Sequence, residues 1–211
     1  MTEEVPQKDP KQGPKKISEI ASGFLFELIT DIPESLYAPI QNPDEKAKLL
    51  TQRAALKSAT VSSSLSIPAG FTGILTAIPD IAAVWKIQAQ LVADIAASYG
   101  KFAFLSREAM IWCLFRHSAA QLLRDIAVRT GSRIVVQKLS TVAVKTILAK
   151  VGAKISSKLL GKTLLRAIPA IGALGNGIYA YMDTCEVGKT ASAYFRALAD
   201  NEVENDKKSG S

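Results

Sequence analysis

The chain has 211 residues, 48% of them hydrophobic and 21% charged, with a formal net charge of +7. That composition excludes an intrinsically disordered chain, and the length suits one domain with a substantial core or two small ones. The two cysteines, Cys113 and Cys185, lie too far apart in sequence to suggest a disulfide framework, and they fit a reducing compartment.

Residues 1–16 mix Pro, Gly and Lys without apolar periodicity, so they read as a disordered arm. They also lack the apolar stretch of a secretory signal, and the expectation is a cytoplasmic protein. Ile17, Ile20, Phe24 and Leu28 recur at helical spacing and predict a first amphipathic helix. Pro33, Pro39 and Pro43 then mark a rigid connection. Asn42-Pro43-Asp44-Glu45 is a helix start: a capping residue, proline at the first position, then acids near the positive end of the helix dipole. This second helix is predicted to run to about Leu65.

From Ser58 through Pro79 no charged residue occurs, and Pro68, Gly70, Gly73 and Pro79 cut the run into short apolar pieces. A membrane-crossing helix needs about 20 apolar residues without such breaks, so the run predicts a broken hairpin instead. A third helix is expected from Pro79 to Tyr99, with Asp80 near its N-terminal dipole. Ile81, Val84, Trp85, Ile87, Leu91, Val92, Ile95 and Tyr99 share one broad arc. Small residues (Ala82, Ala89, Ala93, Ala96, Ala97) lie opposite, and Lys86, Gln90 and Asp94 make a narrow polar strip. A helix apolar on nearly every side is enclosed by others. Gln88 falls within the large apolar arc, so its amide must find partners inside.

Ser106 is placed to cap a fourth helix reaching toward Gly131. Its apolar side is Ile111, Leu114, Phe115, Leu122 and Ile126, with Trp112 and Leu123 at the edge and Cys113, Arg116, His117 and Arg124 opposite. The pattern stays helical from Arg133 to Arg166, with a bend expected between Gly152 and Gly161. Arg133 to Gln137 is the one stretch where a strand competes. Ala167 to Met182 is a second uncharged run, interrupted by Pro169, Gly172, Gly175 and Gly177 and read as a second hairpin. A last helix is predicted over 179–199, then a disordered polar tail over 201–211.

IPAGFTGILTAIPDIAAVWKIQAQLVADIAASYG, residues 67–100, resembles the signature block of the EcsC protein family: a glycine-rich apolar turn, a Pro-Asp step, a helix carrying Gln-Ala-Gln-Leu, and a closing Tyr-Gly. Pro79, Asp80, Gln88, Tyr99 and Gly100 carry the match, while Gln90 stands where arginine is common. The later IPAIGALGNGIYAYMDT is similar to the family's second glycine-rich block. The resemblance spans roughly 17–200 and implies an all-α domain built around a central buried helix, with glycine/proline-rich apolar hairpins. It implies little about mechanism.

Chemistry-bearing patterns are sparse. His117 has no acidic orienter at helical spacing, and with Cys113 one turn earlier it makes a poor nucleophile pair. Two such ligands fall short of the three or four that zinc takes. Gly161-Lys162-Thr163 lacks the upstream glycine of a phosphate loop. The sequence therefore points to no catalytic residue, no cofactor and no metal, and to a protein that is not an enzyme.

What stands out is charge. Between Asp125 and Asp183 lie nine basic residues and no acid, so this segment carries the whole positive excess. Lys138, Lys145, Lys150, Lys154, Lys158, Lys162 and Arg166 are its candidate lipid-binding residues. A solvated helix face is one reading; attraction to an anionic leaflet, about 1 kcal/mol per basic residue, is the other. Nucleic acid is disfavoured because no aromatic is interleaved and no nucleic-acid motif appears. The resulting expectation is a cytoplasmic, peripheral membrane protein that binds anionic lipids, with a protein partner left open. The alternative is a soluble carrier for an apolar ligand or lipid.

Overall fold

The protein is described by a computed structural model at residues 19, 23–24, 26–28, 30–64, 73–116 and 169–209, with only the backbone described at 64, 73–81, 169–174, 176 and 203–209. The fold is all-α, and no strand occurs among the described residues. Helix α1 comprises the helical residues within 19–30. Helix α2 is Pro43–Ser64, α3 is Gly73–Ser98, and a 3-10 turn follows at Phe102–Phe104. Helix α4 is described over 107–116, and α5 is Pro169–Ser209.

The local start and stop signals act as the residues dictate. Pro43 opens α2, with Asp44 and Glu45 in its first turn, and the Lys46 N–H makes the first helical bond to the Asn42 carbonyl. The Ser106 hydroxyl accepts from the Ala109 N–H at 3.2 Å and caps α4. Helix α3 closes in a Schellman motif. The Lys101 N–H bonds the Ala96 carbonyl, the Gly100 N–H bonds the Ala97 carbonyl, and Gly100 takes φ +69°.

Two helices are longer than their sequences suggest. Helix α3 begins at Gly73, so Pro79 sits near the end of its second turn and Asp80 is not in its first turn. A proline there removes one N–H from the ladder. A non-helical path over the apolar residues before it would have to satisfy many more backbone groups. Helix α5 begins at Pro169, ten residues before the expected start, so 169–182 is helical rather than a hairpin. The helix then runs on to Ser209 through the expected tail. The arm at 1–16, the run 65–72, the expected bend between 152 and 161 and the ambiguous stretch 133–137 lie outside the described residues.

Glycine 177 shows why glycines that look like helix breakers sit inside α5. A Cβ there would meet the Ser63 hydroxyl at 2.2 Å and the Ala59 carbonyl at 3.2 Å; at Gly188 it would meet Thr51 Oγ1 at 2.2 Å and Thr51 Cβ at 2.9 Å. Close approach of α2 and α5, the most extensive helix pairing among the described residues, outweighs the roughly 1 kcal/mol each glycine costs in a helix.

Those contacts define direction. Gly177 meets Ser63, Gly188 meets Thr51 and Arg196 meets Asp44, so α2 and α5 are antiparallel. Gln88 of α3 meets Asp183 of α5, and Tyr99 reaches the same Asp44 as Arg196, so α3 and α5 run parallel. The core between them is Leu50, Trp85, Leu91, Val92, Ile95, Met110, Ile111, Leu114, Val187 and Phe195, with Leu28 from α1. Trp85 stacks on Phe24 and meets Phe115 edge-on.

From Val84 to Tyr99 only the predicted polar strip and Ile87 are not buried. Lys86 is exposed, while Gln90 and Asp94 are half-buried and bonded to each other at 2.9 Å. Helix α4 differs from expectation in one respect: Cys113, placed opposite the apolar side, is wholly buried in the core beside Leu114. A thiol behaves as a small hydrophobe, so the core accepts it.

Candidate functional site

Of the family-signature residues that the structure describes in full, Gln88 meets the second glycine-rich block across the α3–α5 contact. Gln88, 1% exposed, donates through Nε2 to Asp183 Oδ2 at 2.7 Å and to Thr184 Oγ1 at 3.2 Å. Asp183 and Thr184 close the stretch IPAIGALGNGIYAYMDT, so the two motif blocks are joined by one amide. The sequence required a partner for Gln88 but could not name it. Ser58 on α2 is different: its buried hydroxyl finds no hydrogen-bond partner among the described residues.

A second cluster stands about three turns farther along, where α3 ends. The Tyr99 hydroxyl donates to Asp44 Oδ1, and Arg196 donates to that same oxygen through Nε at 2.9 Å and Nη2 at 2.5 Å. The Tyr99 hydrogen bond, more than the guanidinium, holds the Asp44 carboxyl below its ordinary range. Burial and then that carboxylate push the Tyr99 phenol up to about 12. Gly100 completes the cluster: its positive φ suits glycine, and a Cβ would stand 3.3 Å from the Pro39 ring. Lys101, nearly buried, pairs with Glu202. Nearby, Ser35 and Gln90 both donate to Asp94 Oδ1, at 2.8 and 2.9 Å, and tie the proline-rich connection to α3.

These arrangements position helices. Among the described residues no three His, Cys, Asp or Glu side chains gather as a metal site. Burial pushes the Cys113 thiol far up, which keeps it protonated and poorly nucleophilic. Of the candidate residues from sequence, Gln88, Tyr99 and Gly100 belong to the helix-joining network. Pro79 and Asp80 are seen as helical backbone. Lys138, Lys145, Lys150, Lys154, Lys158, Lys162 and Arg166 lie outside the described residues, as does His117. Sequence reasoning missed Asp44 and Arg196 as partners of Tyr99. Asp44 carried a signal, but it read as a helix-dipole residue.

Residues 2–197 match the family model described as the EcsC protein family. No curated protein and no solved structure matches the chain. With nearly its whole length matched, and with both motif blocks meeting at Gln88 and Asp183, the chain belongs to the EcsC protein family.

Proposed function

We propose that this EcsC-family protein is a non-enzymatic, cytoplasmic protein that associates peripherally with membranes by binding anionic lipids. The observation that carries the reading is topological. Because α2 runs antiparallel to α3 and α5, the two uncharged runs come to the same end of the bundle: the C-terminal turns of α2 and the N-terminal turns of α3 and α5. In the sequence the acid-free basic segment immediately precedes α5, with Arg166 three residues before Pro169. Basic charge beside uncharged, apolar sequence is the composition that an anionic leaflet attracts. No described helix is long and apolar enough to cross a membrane.

The test is flotation with vesicles of rising phosphatidylserine content. Replacing Lys145, Lys150, Lys154 and Lys158 together with glutamine removes about 1 kcal/mol each, so partitioning falls on the order of a thousandfold at low salt. Binding of the unaltered protein weakens toward 1 M salt, where the Debye length is about 3 Å. Equal binding to neutral and anionic vesicles, or full binding by the quadruple variant, sinks the electrostatic reading. Absence of binding to either vesicle turns preference to the soluble carrier of an apolar ligand.

A further inference from the structure

Helix α5 changes character along its outer face. At its uncharged end Ile178, Tyr179 and Met182 are 60%, 64% and 60% exposed, a cluster of large apolar side chains in solvent. One turn later the same face becomes Glu186 and Lys189, and farther on Arg196, all exposed. The first charge in the helix, Asp183, is turned inward onto Gln88. The outer face therefore carries no charge until Glu186, and its described apolar part spans about 6 Å along the axis, from Ile178 to Met182. Apolar helix faces enter the boundary between lipid head groups and acyl chains to a depth of roughly 5–10 Å.

We infer that Ile178, Tyr179 and Met182 insert into that boundary of an anionic bilayer, orienting the bundle with its Asp44–Arg196 end away from the membrane. This rests on the membrane reading above and adds to it a contact face and an orientation. The bilayer is favoured as occupant by charge: the acid-free run of nine basic residues precedes this helix and ends three residues before Pro169. Tyrosine also suits a site where one end of a ring is wet and the other apolar. Glu186, one turn beyond Met182, limits the depth.

The experiment places a reporter on each half of the same face. Met182→Trp and Ala193→Trp are compared in phosphatidylserine vesicles containing brominated lipid, with the buried Trp85 and the half-buried Trp112 as the common background. Fluorescence at position 182 is quenched and that at 193 is not. The pair Ile178→Gln with Met182→Gln, which leaves charge unchanged, lowers vesicle partitioning roughly tenfold or more while salt dependence and helix content persist. Salt-sensitive binding without quenching at 182, or undiminished binding of the double glutamine variant, overturns the orientation and leaves the electrostatic reading standing. Failure of the unaltered protein to bind overturns both. A blue shift at 182 that grows with protein concentration in the absence of vesicles assigns the face to a second copy of the chain, and likewise overturns the inference.

Discussion

The two ends of the bundle are held together by different physics. At one end, α2 begins, α3 stops and α5 passes, and specific polar contacts fasten them: Tyr99 and Arg196 on Asp44, Lys101 on Glu202, and the Gly100 turn against Pro39. At the other end the helices carry no charge, approach closely at Gly177, and leave Ile178, Tyr179 and Met182 in solvent. An end fastened by directional contacts holds a fixed geometry. An end that exposes apolar surface gains little from folding there, and under the proposal above that surface meets a bilayer. Gln88 stands between the two, inside the core.

Substitutions can break or sharpen this contrast. The largest effect is expected in the shared middle: Leu91→Ala, at a 2% exposed position, costs about 2–5 kcal/mol in denaturant unfolding. A value near zero would place α3 outside the core. Next, Gly188→Ala forces a Cβ against Thr51 Cβ and costs about 1–3 kcal/mol, although alanine is the better helix former. Gly177→Ala is milder, because the Ser63 hydroxyl it meets first can rotate away. Equal costs at the two glycines would contradict this reading of the α2–α5 contact.

Gln88→Ala removes both bonds to Asp183 and Thr184 and costs about 1–3 kcal/mol by the same measurement. A neutral result would mean that the motif blocks are joined by packing alone.

At the fastened end, Tyr99→Phe costs about 0.5–1.5 kcal/mol at neutral pH and alters the pH dependence. The folded-state phenol is raised from 10.0 to about 12, chiefly by burial, so its stabilisation is full below pH 10 and is lost as pH climbs toward 12. Asp44 acts in the opposite sense. Its carboxyl is lowered from 3.8, chiefly by the Tyr99 bond, so its contribution holds above pH 3.8 and is lost as pH falls through the folded value. Thermal melts of the variant should lack the Tyr99 alkaline step and show a shallower acid limb. The smallest effect belongs to the other end: Ile178→Gln with Met182→Gln should change stability by no more than about 0.5 kcal/mol, since both side chains are already in water. A larger loss would show that this face is packed after all.

Much of the candidate site was legible in sequence. Gln88 on an apolar arc demanded an internal partner, Gly100 read as the close of a helix, and the strip Lys86–Gln90–Asp94 read as its wet edge. What could not be read was the other half of each contact. Asp183 lies 95 residues from Gln88, and Arg196 lies 152 residues from Asp44. No local pattern connects residues at such distances.

By itself, the sequence determined the all-helical class, the caps at Pro43 and Ser106, the enclosure of 84–99 and the concentration of positive charge between Asp125 and Asp183. These follow from hydrophobic periodicity, capping chemistry and charge, which act within a few residues. Tertiary structure alone decided that Gly177 and Gly188 serve close helix approach rather than turns, and that α3 and α5 run through Pro79 and the glycine-rich block. It also decided that Cys113 faces the core and that both uncharged runs share one end. The reason is physical: a glycine or proline costs a helix only one to a few kcal/mol, and packing against a distant helix can repay that amount without leaving any trace in the neighbouring residues.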